Sequence, residues 1–191
     1  MDRAAAERAI ADFLRALGRD PARDPELALT PKRVAEAFAD ELLIGYATDL
    51  EALLQDGSPP ARQSAGIVVV REIAVATVCP HHLLSSLGRA TVAYRPGARV
   101  LGLGTIARLV DACSRRLALQ EQIGEMVVDS LVRFGGARGA FCQITLRHSC
   151  LSARGSRQAD ATVRTLASAG DLSDPACARE LDLALGAERG A

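Results

Sequence analysis

The sequence predicts an α+β domain that follows a helical N-terminal region. Runs of β-branched residues begin only after residue 66, two stretches with helical apolar spacing follow the first runs, and further strand-like runs follow those helices. This order is typical of a four-stranded antiparallel sheet with both helices on one face. We therefore predict a helical region over residues 1–56, a linker rich in Pro and Gly over 57–66, and a domain over 67–191 that ends in a helix.

Three helices are predicted in the N-terminal region. Apolar residues at helical spacing indicate a first helix that ends at Gly18. Thr30 and Pro31 are expected to be the N-cap and the first residue of a second helix, because proline needs no hydrogen-bond partner there. Thr48 and Glu51 have the spacing of a capping box, which predicts the start of a short third helix.

The domain after the linker contains the predicted sheet. Helical stripes run from Ile106 to Leu117 and from Ile123 to Phe134, and Asp174 followed by Pro175 predicts the cap of a last helix. The predicted strands are Ile67–Val70 continuing as Ile73–Val78, then Thr91–Tyr94, Phe141–Leu146 and Ala161–Leu166. An open sheet of this size leaves two exposed edges, so we expect copies of the chain to associate edge to edge.

Composition and charge exclude several classes of protein. The 191 residues include 23 basic and 23 acidic side chains, and no basic stripe alternates with aromatic residues, so we expect no nucleic-acid partner. Charged residues interrupt the N-terminus, and no apolar run reaches the roughly 18 residues of a membrane-spanning helix. We predict a cytoplasmic protein with no membrane partner. Its five cysteines are expected to be reduced thiols.

Segments 79–82 and 148–150 contain all three histidines of the chain. In them, Cys79, His82 and Cys150 offer two thiolates and one imidazole, which would leave a tetrahedral zinc with an open fourth position, as catalytic zinc sites have. The alternative is a buried thiol beside a hydrogen-bonded ring, the more common environment of a single Cys-His pair. The second segment favours the metal site, because randomly placed histidines would seldom all lie close to a cysteine.

The two remaining histidines, His81 and His148, flank these ligands and would bind no metal. Histidine changes its charge near neutral pH, so it is the usual carrier of protons beside a metal-activated water. We predict that both residues act in proton transfer.

Six motifs extend from about residue 30 to residue 166, at Thr30–Ala35, Cys79–Leu83, Gly88–Tyr94, Gly102–Arg108, Arg115–Glu121 and His148–Gly155. In order, spacing and chemistry they resemble the GTP cyclohydrolase I family, whose catalytic unit is the tunnelling fold. The resemblance implies that Cys79, His82 and Cys150 bind Zn²⁺, and that His81 and His148 transfer protons.

The resemblance also implies a substrate-binding set. Glu121, together with the adjacent Gln120, would hold the guanine, because a carboxylate offers two acceptors to the parallel donors of N1 and the exocyclic amino group. Arg33, Arg108 and Arg154 would hold the triphosphate, whose oxygens suit planar guanidinium groups.

The implied reaction is zinc-dependent opening of the imidazole ring of GTP at C8. It releases formate and, after ribose opening, rearrangement and reclosure, gives 7,8-dihydroneopterin triphosphate. Members of the family are toroidal homodecamers with active sites between subunits, so the resemblance implies a homo-oligomer of that kind.

Several positions depart from the family pattern. They are Glu36 for a usual lysine, Gly104 and Thr105 for a Ser-Lys pair, Pro80 for Glu, Ala118 for Gln and Gln122 for Arg. Glu36, Gly104 and Thr105 together remove two positive charges and a hydroxyl from the implied triphosphate site and add one negative charge, which would weaken the attraction for a polyphosphate. The implied zinc and guanine sets are retained.

Three hypotheses for the function follow. The first is GTP cyclohydrolase I activity, with the remaining arginines compensating for the lost lysines. The second is a divergent paralogue that uses the same zinc chemistry on a purine or related heterocycle with fewer or no phosphates, in a specialised pathway. The third is a non-catalytic oligomeric binding protein, which the retained metal and histidine positions disfavour, because folding alone does not require a zinc set with an open position.

Overall fold

The computed structural model describes residues 1–55, 60 and 66–186 and confirms the predicted α+β class. A four-stranded antiparallel sheet has the order β1-β2-β3-β4, and two long helices connect β2 to β3. The strands are β1 Val68–Val78, β2 Ser85–Arg95, β3 Gly139–His148 and β4 Val163–Gly170. The helices are α1 Arg3–Ala16, α2 Thr30–Ala37, α3 Leu50–Gln55, α4 Leu103–Ser114, α5 Gln120–Arg133, α6 Ser149–Ser152 and α7 Ala178–Leu185. Most of the predicted linker over 57–66 lies outside the described residues, so the domain division stays a prediction.

The main core lies between the sheet and the pair α4 and α5. Val92 and Ile144 point to this face of the sheet and are fully buried against Val110, Ile123 and Leu131 of the helices. Each such aliphatic side chain contributes about 1.5–3 kcal/mol through removal from water. The core therefore fixes the start of α5 relative to the end of β3, and both elements contribute to the candidate site.

The strands are longer than their β-branched runs. β1 is continuous, with an irregularity between Val70 and Ile73 where the pairing register with β2 shifts. β2 begins at Ser85, six residues before the predicted start at Thr91. The segment between these positions contains Ser, Leu and Gly, whose low strand propensity is overridden by pairing with both neighbouring strands. β4 likewise continues past Leu166 to Gly170.

Two predicted helix caps are wrong by one residue. Thr30 is the first residue of α2 and makes no capping hydrogen bond with its side chain. At α3 the cap is Asp49, whose carboxylate accepts a hydrogen bond of 3.1 Å from the backbone N–H of Ala52, whereas the Thr48 hydroxyl donates backwards to the Ile44 carbonyl. Asp is as good an N-cap as Thr or better, and it lies directly before the helix.

The outer strands and the N-terminal helices leave surface uncovered in a single chain. Among the described residues, β4 pairs only with β3, and β1 pairs with β2 and forms one bridge to Leu117. α1 packs against α2 but buries none of its own residues, and Phe13 and Leu17 are about 60% exposed. No helix within the described ranges is both long and apolar enough to cross a membrane.

Candidate active site

Three chain segments meet at one end of the sheet and enclose a pocket of about 260 Å³. They are the loop 79–84 that connects β1 to β2, the end of β3 with α6, and the first turn of α5. Ser86 pairs with His148 across β2 and β3, which places the two His-containing segments side by side. The lining residues are Thr77, Cys79, Pro80, His81, Ser86, Ala118, Leu119, Gln120, Glu121, His148, Cys150, Leu151 and Val163.

The loop 79–84 is a tight hairpin connection that presents two of the predicted metal ligands. The backbone N–H of Leu83 donates to the Cys79 carbonyl at 2.9 Å, and the Cys79 N–H donates to the Leu84 carbonyl at 2.9 Å. Leu83 has a φ of 53°, a left-handed conformation that a non-glycine residue adopts at some cost. These constraints bring the side chain of His82 back towards that of Cys79.

Cys79, His82 and Cys150 form a group with the geometry of a metal site. One ligand atom from each residue lies within 4.8 Å of the others, and Cys79 Sγ is 3.7 Å from His82 Nδ1. A tetrahedral zinc with ordinary Zn–S and Zn–N bonds would set a sulfur and a nitrogen ligand about 3.6 Å apart. Two thiols and one imidazole are also ligands that zinc prefers, so these residues fit that ion.

The electrostatics of Cys150 support the same assignment. Burial and the neighbouring Cys79 thiol raise the pKa of Cys150, and only Arg154 and a backbone hydrogen bond oppose the rise. The Cys150 thiol therefore loses its proton less readily unless a cation lies beside it. A divalent metal supplies that charge and displaces the protons.

His148 is held at both of its ring nitrogens. Its Nε2 is 2.8 Å from Gln120 Oε1, and its Nδ1 is 2.9 Å from the Ser86 hydroxyl. The amide nitrogen of Gln120 donates in turn to the backbone carbonyls of Ile144 at 2.9 Å and Val163 at 3.0 Å. This network is buried between α5 and the sheet, so it fixes the imidazole ring.

Glu121 and His81 complete the ionisable groups of the pocket. Glu121 is exposed in the first turn of α5, next to the buried Gln120. Burial lowers the pKa of His148, and the negative charge of Glu121 partly opposes that effect. His81 is exposed on the hairpin loop beside His82. A bound molecule can therefore reach one carboxylate, one exposed imidazole and one half-buried imidazole from the same cavity.

Two pocket residues, Ser86 and Thr77, were missed by the sequence analysis. Ser86 is 1% exposed and contacts a histidine 62 positions away, a contact that depends on strand register and leaves no local signal. Thr77 is 4% exposed, and its hydroxyl has no hydrogen-bond partner among the described residues. Only a prediction that β2 starts at Ser85 would have indicated Ser86, because the strand pairing then places Ser86 opposite His148.

The predicted arginines are not brought together in one chain. Arg154 lies close enough to Cys150 to lower the pKa of that thiol, although its side chain is exposed. Arg33 is exposed on α2, and Arg108 is exposed on α4, where it donates to the Thr105 hydroxyl at 3.3 Å. Neither Arg33 nor Arg108 lines the pocket.

The positions that depart from the family pattern have separate environments. Pro80 and Ala118 line the pocket, whereas Gln122 accepts a hydrogen bond of 2.9 Å from the Leu119 N–H and so caps α5. Glu36 is exposed on α2 and lies 3.8 Å from Lys32, one helical turn away. Its charge therefore offsets that of a nearby lysine.

Comparison with known proteins gives one consistent result. A model of the GTP cyclohydrolase I family matches residues 6–185. GTP cyclohydrolase 1 of Leifsonia xyli subsp. xyli is 43% identical over 185 residues, covering 97% of this chain and 96% of that protein. GTP cyclohydrolase 1 of Chromobacterium violaceum is 46% identical over 180 residues, covering 93% and 85% respectively. The chain therefore belongs to the GTP cyclohydrolase I family of hydrolases.

Proposed function

We propose that this protein is a zinc-dependent GTP cyclohydrolase I, which opens the imidazole ring of GTP at C8, releases formate and forms 7,8-dihydroneopterin triphosphate. One observation carries the proposal: Cys79, Cys150, His81, His148 and Glu121 line a single pocket, and His82 lies beside Cys79 and Cys150 with its ligand atom within 4.8 Å of theirs. The relatives named GTP cyclohydrolase 1 support the same substrate.

Glu121 is the group that binds the guanine. Its carboxylate offers two acceptors to N1–H and the exocyclic amino group, which are parallel donors on one edge of the base. Its position in the first turn of α5 adds the favourable field of a helix N-terminus, which suits a negative charge. The residue therefore selects guanine over adenine, which lacks this pair of donors.

Cys79, His82 and Cys150 would hold the zinc, which lowers the pKa of water and so supplies a nucleophile near neutral pH. His148 and His81 hold and move protons during ring opening, ribose opening and reclosure. Their environments differ, because His148 is fixed by buried hydrogen bonds whereas His81 is exposed on a loop. We therefore assign to His148 the proton transfers that require a precisely placed ring, and to His81 the exchange of protons with solvent.

A homo-oligomer, most simply a decamer as the family resemblance implies, would complete the site. Arg33 and Arg108 lie outside the pocket of their own chain, so they would reach a triphosphate bound in the pocket of a neighbouring copy. The outer edges of β1 and β4, which pair with no further strand among the described residues, provide the surface for such assembly.

A second candidate substrate is a purine with fewer phosphates. The pairing of Glu36 with Lys32 favours it, because this exposed region of α2 then offers less net positive charge to a polyphosphate. Thr105 is 7% exposed and supplies no charge where the family usually has lysine. Both candidates use the same zinc and guanine groups.

The decisive experiment is a substrate comparison. The zinc-loaded protein is incubated with GTP, GDP, GMP, guanosine and guanine, and formate and pterin fluorescence are measured. A preference for GTP over guanosine of several thousandfold in kcat/KM supports the first candidate. A preference for a less phosphorylated purine supports the second, and formate from none of them contradicts both.

A further inference from the structure

The environment of His148 determines which of its ring nitrogens has the proton. Both nitrogens contact buried side chains, at 2.8 Å for Nε2 with Gln120 and at 2.9 Å for Nδ1 with Ser86. Gln120 is 4% exposed and Ser86 is 1% exposed, so both contacts lie at the inner wall of the pocket. Which atom donates in each hydrogen bond can be worked out from the other hydrogen-bond partners of Gln120.

The amide of Gln120 has only one possible orientation. Its nitrogen is within hydrogen-bond distance of the carbonyl oxygens of Ile144 and Val163, which can only accept. Turning the amide over would place its oxygen against two carbonyl oxygens, which repel it, and would lose both hydrogen bonds from the amide nitrogen. The Gln120 oxygen therefore faces His148 and accepts from Nε2–H.

We propose that Gln120 and Ser86 hold neutral His148 in the Nε2–H tautomer, with Nδ1 accepting from the Ser86 hydroxyl. Gln120 acts only by positioning, whereas Ser86 also passes protons to Nδ1. The inference rests on the proposed function of His148 as a proton carrier. Gln120 was expected to help hold the guanine. Its amide instead makes all its hydrogen bonds within the protein, so it acts on the substrate only through His148.

The tautomer also defines the route of the proton. A hydroxyl can donate one proton and accept another at the same time, whereas the amide oxygen of Gln120 has no proton to pass on. A proton leaving a group bound in the pocket moves to Ser86 Oγ while the Ser86 proton moves to His148 Nδ1. The bound group then loses one proton, Ser86 is unchanged, and Nδ1 of His148 gains one proton.

Kinetics of serine variants test this route. Ser86→Ala should lower kcat about a hundredfold, the lower range for loss of acid–base catalysis, with little change in KM or zinc content. Ser85→Ala is the matched control, because Ser85 is the exposed neighbour on the same strand and does not line the pocket. A Ser86→Ala/His148→Ala double variant should be no slower than His148→Ala alone, since the two residues act as one unit. Additive losses, or a Ser86→Ala variant as fast as Ser85→Ala, would overturn the relay.

Nitrogen NMR tests the tautomer without substrate. With only three histidines in the chain, ¹⁵N-histidine labelling of the zinc-loaded protein gives assignable ring signals. At about pH 8.5, two units above the ordinary histidine pKa, His148 should show the Nε2–H pattern, and Gln120→Met should give a mixture of tautomers. An Nδ1–H pattern in the unchanged protein overturns the inference. Failure of the proposed function would instead be seen as absence of formate, with the spectrum unaffected.

Discussion

The pocket at the end of the sheet and the helices α2 and α4, which contain Arg33 and Arg108, differ in one respect. A single chain brings the pocket residues together, but it does not bring these two arginines to the pocket. At the pocket end, candidate metal ligands, proton carriers and a carboxylate are assembled by the register of β1, β2 and β3 and by the start of α5. On α2 and α4 the arginines are exposed and do not reach that pocket.

This difference follows from the tolerances of the two kinds of chemistry. Metal binding and proton transfer need atoms placed to a few tenths of an ångström, which a buried hydrogen-bond network and a tight loop provide. A triphosphate is held by long cationic side chains that can adjust, so they can come from a neighbouring copy. The proposal is therefore that one chain would supply the reacting groups and a neighbouring copy the phosphate-binding groups.

The largest expected effect is loss of the metal. Cys150→Ala should reduce bound zinc from one per chain to none and abolish turnover, because the site would retain only two ligands. Cys177→Ala is the matched control, since this cysteine is also partly buried but lies outside the pocket and should keep full zinc content. Metal analysis of the purified variants measures the result, and stoichiometric zinc in Cys150→Ala would remove that residue from the ligand set.

The next effect concerns the exposed histidine. His81→Ala should keep zinc and lower kcat about a hundredfold or more, the usual size of general acid–base effects. Zinc content and turnover are measured on the same sample. If zinc is lost together with activity, His81 is a metal ligand, and the assignment of His82 to the metal and of His81 and His148 to proton transfer is wrong.

Removal of the guanine acceptor comes third. Glu121→Ala should lower kcat/KM on every accepted purine by about a hundredfold or more, because two charge-assisted hydrogen bonds are lost. Glu125→Ala removes the same charge from an exposed position one turn later on α5 and should leave the rate unchanged. Equal losses in the two variants would show that net charge on the helix matters and that base recognition lies elsewhere.

The smallest expected effect concerns binding of the phosphates near α2. Glu36→Lys should lower KM for GTP about fivefold, roughly 1 kcal/mol, and leave guanosine unaffected, because it replaces repulsion of the phosphates by attraction. Its pair with Lys32 is exposed, so little stability is at stake. Glu26→Lys changes net charge equally on an exposed segment before α2 and serves as the control. The same gain in both variants would mean that the effect is not local.

The sequence was sufficient to predict the elements whose signals are local. The β-branched runs of β1 and β3 and the apolar stripes of α4 and α5 lie where their periodicity indicates. The exception is Leu117, which was predicted on the first stripe but lies beyond the end of α4 at Ser114 and forms a bridge to Val78. The start of β2 was missed because Ser85 to Arg89 form a strand only through pairing with both neighbours. For the same reason Ser86 and the network around Gln120 could not be predicted, since each contact joins residues distant in sequence. Cys79, His82 and Cys150 could be proposed as ligands because chemistry and motif, rather than geometry, identify them.

Complementation between two inactive variants tests the division between chains most directly. Cys150→Ala chains keep Arg108, and Arg108→Ala chains keep the complete pocket, so co-expression in equal amounts should restore about a quarter of the sites if the arginine acts on a neighbouring copy. Cys150→Ala with Glu121→Ala is the control pair, which should not complement because both changes affect the same pocket. Recovery of GTP turnover in the first mixture alone is the predicted result. Turnover no greater than the sum of the separate variants would contradict the account and place Arg108 in the site of its own chain.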